Sequence, residues 1–190
     1  MTEQLVLASA SPRRRELLQQ IGVSFIVRAV DIDETPKEDE LAEDYVVRVA
    51  AEKSAACSDQ QLPVLAADTS VVINGVILGK PENQQHAKLM LCSLSGKTHQ
   101  VYSAVSLRSP SGKHYQAMSQ TTVTFRKISE AEIQAYWQTG EPEGKAGGYA
   151  IQGLASVFVE SISGSFSGVV GLPLFETAEL LSQQGIKVIR

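Results

Sequence analysis

The sequence predicts an α/β protein with a mixed, largely antiparallel central sheet flanked by helices. Three observations carry that expectation. A short apolar run leads through a tight turn into a helical pattern at residues 5–22. A strong hairpin signal, Asn74-Gly75, sits between Val71-Val72-Ile73 and Val76-Ile77-Leu78, because Asn-Gly supplies the positive φ angles of a type I′ turn. Two long alternating segments, Thr98 to Leu107 and Tyr115 to Lys127, are joined by Ser109-Pro110-Ser111-Gly112 and read as a second antiparallel pair.

The elements follow in order. Leu5-Val6-Leu7-Ala8 reads as a buried strand, after which Ser11 is placed to cap a helix and Pro12 suits its first turn. Leu17, Leu18 and Ile21 recur at helical spacing until Gly22 stops the helix. Phe25 to Val30 is a second strand, followed by the acidic loop Asp31-Ile32-Asp33-Glu34-Thr35-Pro36. From Leu41 to about Ser58 the residues Tyr45, Val46, Val49, Ala50 and Lys53 mark the inward side of an amphipathic helix. Pro63 to Ala67 reads as a central strand ending at Asp68-Thr69, and a helix is expected from about Glu82 to Leu94. Ser129-x-x-Glu132 is a capping box opening a helix to about Thr139. The glycine-rich stretch Gly140 to Gly153 reads as a functional or mobile loop. Leu154 to Ile162 is expected as a strand, Leu172 to Gln184 as a helix ended by Gly185, and Ile186 to Ile189 as a final edge strand.

At 190 residues the chain fits one domain, spanning 1–190, with enough length to bury a core without disulfides. Hydrophobic residues at 43% and charged residues at 20% are ordinary globular values, which excludes a collagenous or disordered chain. A formal charge of −4 repels polyanions, and aromatics at 6% offer few stacking platforms. A single-stranded nucleic-acid binder built on Arg13 to Arg15 is therefore disfavoured, and no nucleic-acid partner is expected. Cys57 and Cys92 read as buried free thiols of a reducing cytosol. Met1-Thr2-Glu3-Gln4 carries an acid where a signal peptide needs basic charge, and no apolar run approaches the roughly 18 residues of a membrane span. A cytoplasmic protein without a membrane partner is expected.

Several groups suit polyphosphate chemistry. Ser9-x-Ser11-Pro12-Arg13-Arg14-Arg15 places two hydroxyls and a guanidinium cluster at a strand-to-helix turn, where backbone amides and the helix dipole favour an anion. A solvated basic face is the alternative. Asp68 suits a metal ligand or a general base, although on type and position alone a strand-ending Asp is commoner. Glu34, with Asp31 and Asp33, offers clustered carboxylates to a hard cation, or is simply a solvated acidic loop. Lys53 and Lys80 suit phosphate as point charges, Lys80 the better because Gly79 and Pro81 flank it; taken alone, Lys53 reads as a snorkelling lysine. Gln152, in Gly147-Gly148-Tyr149-Ala150-Ile151-Gln152-Gly153, can both donate and accept at the edge of a planar heterocycle, with Lys145 and Tyr149 beside it; an ordinary turn is the alternative. His86, His99 and His114 lack zinc-ligand spacing, and Gly164 to Gly168 is not a nucleophile elbow.

Taken in order, Ser9-x-Ser11-Pro12-Arg13-Arg14, Asp33-Glu34, Lys53, Ala67-Asp68-Thr69, Gly79-Lys80-Pro81, Ser95-Gly96, Lys145-Ala146-Gly147-x-Tyr149-x-Ile151-Gln152-Gly153 and Val170-Gly171-Leu172-Pro173 resemble the Maf family of nucleotide pyrophosphatases across nearly the entire chain. The resemblance implies two lobes around a deep cleft, as in ITPase-like folds. It also implies hydrolysis of a nucleoside triphosphate to monophosphate and pyrophosphate with a divalent cation, Mg²⁺ or Mn²⁺, by a cytoplasmic protein that is commonly a homodimer. The subgroup acting on dTTP and UTP is the most similar, and a subgroup preferring 7-methyl-GTP differs around Gln152. Arg13, Thr69 and Gln152 match its selectivity positions, and Asp68 matches its proton acceptor.

Charge gives these residues expected roles. A triphosphate carries about four negative charges, so carboxylates can share its site only if a metal and basic groups offset them. Glu34 and Asp68 are expected at the metal, Ser9, Ser11, Arg14, Lys53 and Lys80 at the phosphates with Arg13, and Thr69 and Gln152 at a pyrimidine edge. The competing reading is a regulatory module that binds nucleotide without turnover.

Overall fold

The computed structural model describes residues 3–57, 59 and 61–188. Strand β1 (Leu5–Leu7) leads into helix α1 (Pro12–Gln20) and strand β2 (Phe25–Val27). Helix α2 (Ala42–Ala56) precedes β3 (Val64–Ile73) and β4 (Val76–Leu78), and helix α3 (Gln84–Leu94) precedes the long pair β5 (Thr98–Arg108) and β6 (His114–Phe125). Helix α4 (Glu130–Gln138), two 3₁₀ turns, strand β7 (Val159–Ser163) and helices α5 (Phe166–Val170) and α6 (Leu174–Ser182) complete the chain.

The strands form one sheet in the order β2-β1-β3-β5-β6-β7, with β4 also on β3. Among the described residues only the β1 pairings with β2 and β3 are parallel, so the sheet is mixed and mainly antiparallel, as expected. Alternation along β5 separates two apolar faces. Ala104 meets Tyr45, Val46, Val49 and Ala50 of α2, while Val101, Val105 and Leu107 face the larger core with Leu18, Leu91, Phe125, Leu172 and Leu181. Each fully buried leucine there contributes about 1.5–3 kcal/mol of burial.

One feature of the register opens a cavity. β5 runs along one edge of β3 from Val64 to Val72. The opposite edge is shared by two short strands, β1 opposite Val64 and Leu65 and β4 opposite Val71 to Ile73. Between them, Ala66 to Ser70 have no neighbouring strand on that side among the described residues. A cavity of about 700 Å³ opens at this gap.

Several sequence expectations require correction. Val64 to Ile73 is one strand, so Asp68 and Thr69 lie within it, paired in register with Ala104 and Ser103, instead of closing a shorter strand. Leu154–Phe158 is a 3₁₀ turn, and the strand begins only at Val159. Side-chain acceptors take the Leu154 and Ala155 amides, which keeps this segment out of the ladder. The five-residue α5 is too short to leave a periodic signal, and α6 starts at Leu174 beyond Pro173. The expected edge strand fails to form at 186–188, where Gly185 adopts φ 72° and the Ile186 amide bonds back to the Leu181 carbonyl at 3.1 Å, a helix-ending motif. Ile189, like Met1, Thr2 and the expected helix end at Ser58, lies outside the described residues. Cys57 is buried but Cys92 is exposed, and both are free. Among the described residues no helix is long and apolar enough to cross a membrane.

The hairpin and the capping box at the start of α4 take the expected form. Asn74 and Gly75 have φ 52° and 77°, and Ser129 and Glu132 form a reciprocal capping box.

Candidate active site

The β1–α1 turn supplies the first wall. Pro12 occupies the first turn of α1 and Ser11 its N-cap, but the Ser11 side chain makes no capping bond. Ser9 accepts instead from the Ser11 amide at 3.2 Å and from Arg14 Nη1 at 3.1 Å. Arg13 Nε donates to the Val170 carbonyl and Arg14 Nε to the Gly171 carbonyl, at 3.2 and 2.9 Å, so the C-terminal end of α5 aims both guanidinium groups. Burial pushes both below their ordinary pKa, opposed at Arg13 by Glu16 and at Arg14 chiefly by Asp68. Arg15 points to solvent.

The floor comes from β3 and α2. Lys53, on the buried side of α2, donates to Asp68 Oδ1 at 2.9 Å and pairs with Glu34 Oε1 at 3.0 Å. Thr69 Oγ1 lies 2.8 Å from Ser103 Oγ, which also donates to the Asp68 carbonyl at 3.3 Å. Glu34 is carried by Tyr45, whose hydroxyl donates to the Glu34 carbonyl at 2.8 Å. Desolvation, with Asp68 and Glu34 nearby, pushes that phenol up to about 12.

The facing wall is Lys80 and the stretch Gly144 to Gln152. The Gly147 amide donates to the Gly79 carbonyl at 3.0 Å, and a Cβ at Gly147, which has φ 68°, would collide with Val71. Tyr149 is buried with its hydroxyl 2.8 Å from His99 Nε2. The glycine-rich segment is thus fixed to the sheet at several points. Burial, and then Arg13, pushes the Lys145 ammonium below its ordinary pKa.

The residues expected at the phosphates, the metal and the base all line this one cavity: Ser9, Ser11, Arg13, Arg14, Glu34, Lys53, Asp68, Thr69, Lys80 and Gln152. Asp31 and Asp33 do not, Asp33 being engaged in capping the Thr35 amide at 2.9 Å. Tyr45, Ser103 and the Val170 and Gly171 carbonyls were not assigned these supporting contacts by sequence. Tyr45 reads there only as part of an apolar helix face, while Val170-Gly171 is visible only as a motif. Two carboxylates converging on one ammonium suit a hard divalent cation, which takes one or two protein carboxylates and completes its shell with water and phosphate. Among the described residues no cluster of three or more His, Cys, Asp or Glu offers an all-protein cage.

Arginines and lysines facing two carboxylates across a cavity of this size give the charge pattern required by a phosphorylated small molecule with a divalent cation. The chain belongs to the Maf family, whose Maf-like protein model matches residues 4–184. A relative from Methylococcus capsulatus named dTTP/UTP pyrophosphatase is 53% identical over 98% of this chain and 93% of its own length. One from Haemophilus ducreyi named nucleoside triphosphate pyrophosphatase is 47% identical over 100% and 99% respectively. Among solved structures, a HAM1 protein from Coxiella burnetii aligns with TM-score 0.47 and 18% identity, over 67% of this chain and 75% of that one.

Proposed function

We propose that this chain, acting as a single domain, hydrolyses pyrimidine nucleoside triphosphates, dTTP and UTP, to the monophosphate and pyrophosphate. The observation that carries the reading is the convergence of Arg13, Arg14, Lys53 and Lys80 with Glu34 and Asp68 at the gap in the β3 edge. Relatives of near-equal length named as dTTP/UTP pyrophosphatases support it.

Arg13 and Arg14, already aimed by α5, present their remaining guanidinium N–H groups to phosphate oxygens. The Ser9 and Ser11 hydroxyls and the Lys80 ammonium add donors around the same anion. Glu34 and Asp68 would hold Mg²⁺ or Mn²⁺, which when bound offsets phosphate charge and polarises the P–O bonds. Lys53 orients Asp68 through Oδ1, leaving Oδ2 to accept a proton. Water attacks the α-phosphorus, its proton passes to Asp68, and the bond from the α-phosphorus to the bridging oxygen breaks to release pyrophosphate. Charge on the departing group is stabilised by the arginines and lysines. Thr69 and Gln152 read the base. The family resemblance further supports a cytoplasmic homodimer acting on free nucleotide and not on nucleic acid.

The test is incubation of the purified protein with Mg²⁺ or Mn²⁺ and a panel of triphosphates, with separation of the phosphate products. Pyrophosphate and monophosphate from dTTP and UTP are expected. Orthophosphate release, or no turnover with either metal, would sink the reading.

A further inference from the structure

Gln152 sits on a turn gripped from behind by residues outside the cavity lining. The Gly153 amide closes the turn on the Ala150 carbonyl at 3.0 Å, Ile151 is buried in the core, and Gln152 is exposed into the cavity. Ahead of the turn, the Ala150 amide donates to the Tyr136 hydroxyl at 3.2 Å, and that hydroxyl donates to Glu141 Oε1 at 2.7 Å. Behind it, the Leu154 amide donates to Glu141 Oε2 at 2.9 Å and the Ala155 amide to Oε1 at 3.1 Å. A single carboxylate just beyond α4 therefore holds both flanks of the turn. A Cβ on Gly153 would fall on that carboxylate, which packs directly against the turn. Burial pushes the Glu141 carboxyl up, but the Leu154 amide, the Tyr136 hydroxyl and the Ala155 amide outweigh it and keep the group ionised as a pure acceptor.

We propose that Glu141, through Tyr136 and the amides of Leu154 and Ala155, is a positioning residue that fixes the Gln152 amide for discrimination among pyrimidine bases. This rests on the reading of the cavity as a pyrimidine nucleoside triphosphate site. Thymine and uracil present a carbonyl beside an N–H, whereas cytosine presents an amino group beside a bare nitrogen. A glutamine amide with its N–H toward the base carbonyl and its oxygen toward the ring N–H pairs with the first pattern, and the second is matched only by the amide turned over, so the discrimination depends on the turn presenting the amide one way round. A turn free to shift by about 1 Å loses that distinction.

Glu141→Gln keeps the side-chain shape but sets an N–H group either against the Leu154 amide or against the Ala155 amide and the Tyr136 hydroxyl, so part of the grip is released whichever way the amide lies. The experiment measures kcat and KM for dTTP and dCTP with the wild type, E141Q, Q152A, the E141Q/Q152A double variant and Y136F, with Tm recorded for each. Y136F releases the Ala150 flank and serves if E141Q does not fold. In E141Q the dTTP to dCTP ratio of kcat/KM is expected to fall by about tenfold, chiefly through KM for dTTP, with kcat for dCTP held within about twofold. Q152A should lose as much, and the double variant no more. Wild-type turnover with an unchanged ratio in the released variants, or losses that multiply in the double variant, overturns the proposal alone. A wild type that neither binds nor turns over any triphosphate overturns the reading of the cavity and the proposal with it.

Discussion

The Lys53 ammonium bridges Asp68 and Glu34, 2.9 Å from one carboxylate and 3.0 Å from the other, and Lys53 and Asp68 are both buried. One cation from α2 thus holds the acidic floor of the cavity together. Glu34 is 43% exposed at its side chain, so its half of the bridge is screened by solvent, and the Lys53–Asp68 half dominates the stability effect.

Lys53→Met leaves the Asp68 carboxylate buried without its partner. Removing one member of a buried pair costs about 3–5 kcal/mol, which for a chain of this length lowers Tm by roughly 10 °C. Calorimetry reads the shift. Adding Asp68→Leu should recover most of it, and a K53M melting temperature equal to wild type would show that the pair is solvated.

Asp68→Asn preserves side-chain volume and the Glu34 contact to Lys53 but removes the proton acceptor. Pyrophosphate release should fall by about 10²–10⁴-fold, while triphosphate affinity changes by less than about tenfold. Product analysis and calorimetric titration separate the two. Tight binding by a wild type without turnover would instead mark a nucleotide-binding module.

His99 makes stability depend on pH. It is buried against Phe125 and Tyr149, and desolvation holds its imidazole down at about 4. The unfolded chain, with a histidine pKa near 6.5, takes up a proton that the native state excludes. His99's contribution is therefore whole above about pH 6.5 and is lost as pH falls toward 4, amounting to about 2 kcal/mol between pH 7 and pH 5. Denaturant midpoints at those two pH values should converge in His99→Gln. His114 is lowered in the same direction, by burial and then by Arg108, so His114→Gln is the control; Glu40 and Glu132, held at about 2, lose their contributions mainly at lower pH.

Gly171 adopts φ 137° while its carbonyl accepts from Arg14 Nε and lies 3.5 Å from Thr69 Oγ1. Gly171→Ala strains the backbone by about 1–3 kcal/mol and displaces that carbonyl. Triphosphate affinity should fall by about tenfold, as measured by titration. Gly185→Ala, at φ 72° near the end of α6, should lower Tm without changing affinity. Equal affinity in G171A would show that the guanidinium groups hold their aim unaided.

The fold was legible where local chemistry is strong. Asn74-Gly75 and the Ser129-x-x-Glu132 box name their own geometry, and α2 and α3 show their buried sides as periodicity. It was illegible where a distant partner decides. Leu154 to Phe158 has the composition of a strand, yet Glu141 and the turn before it occupy the amides a ladder would need. Asp68 looks like the end of a strand because polar residues usually end one, while the β5 ladder carries the chain straight through it. The site residues were legible as types at spacings. The partners that hold them, Tyr45 beneath Glu34 and the α5 carbonyls behind the arginines, were not, because each contact is defined only once the chain has closed on itself.

Arg13 and Arg14 are held by carbonyls 157 residues further along the chain. During synthesis the N-terminal turn emerges first and waits, its guanidinium groups unaimed, until Val170 and Gly171 have cleared the ribosome. A nascent chain stalled before that point lacks both anchors of its arginine fork. The aim of the arginine fork is thus set by chain made 157 residues later than the fork itself.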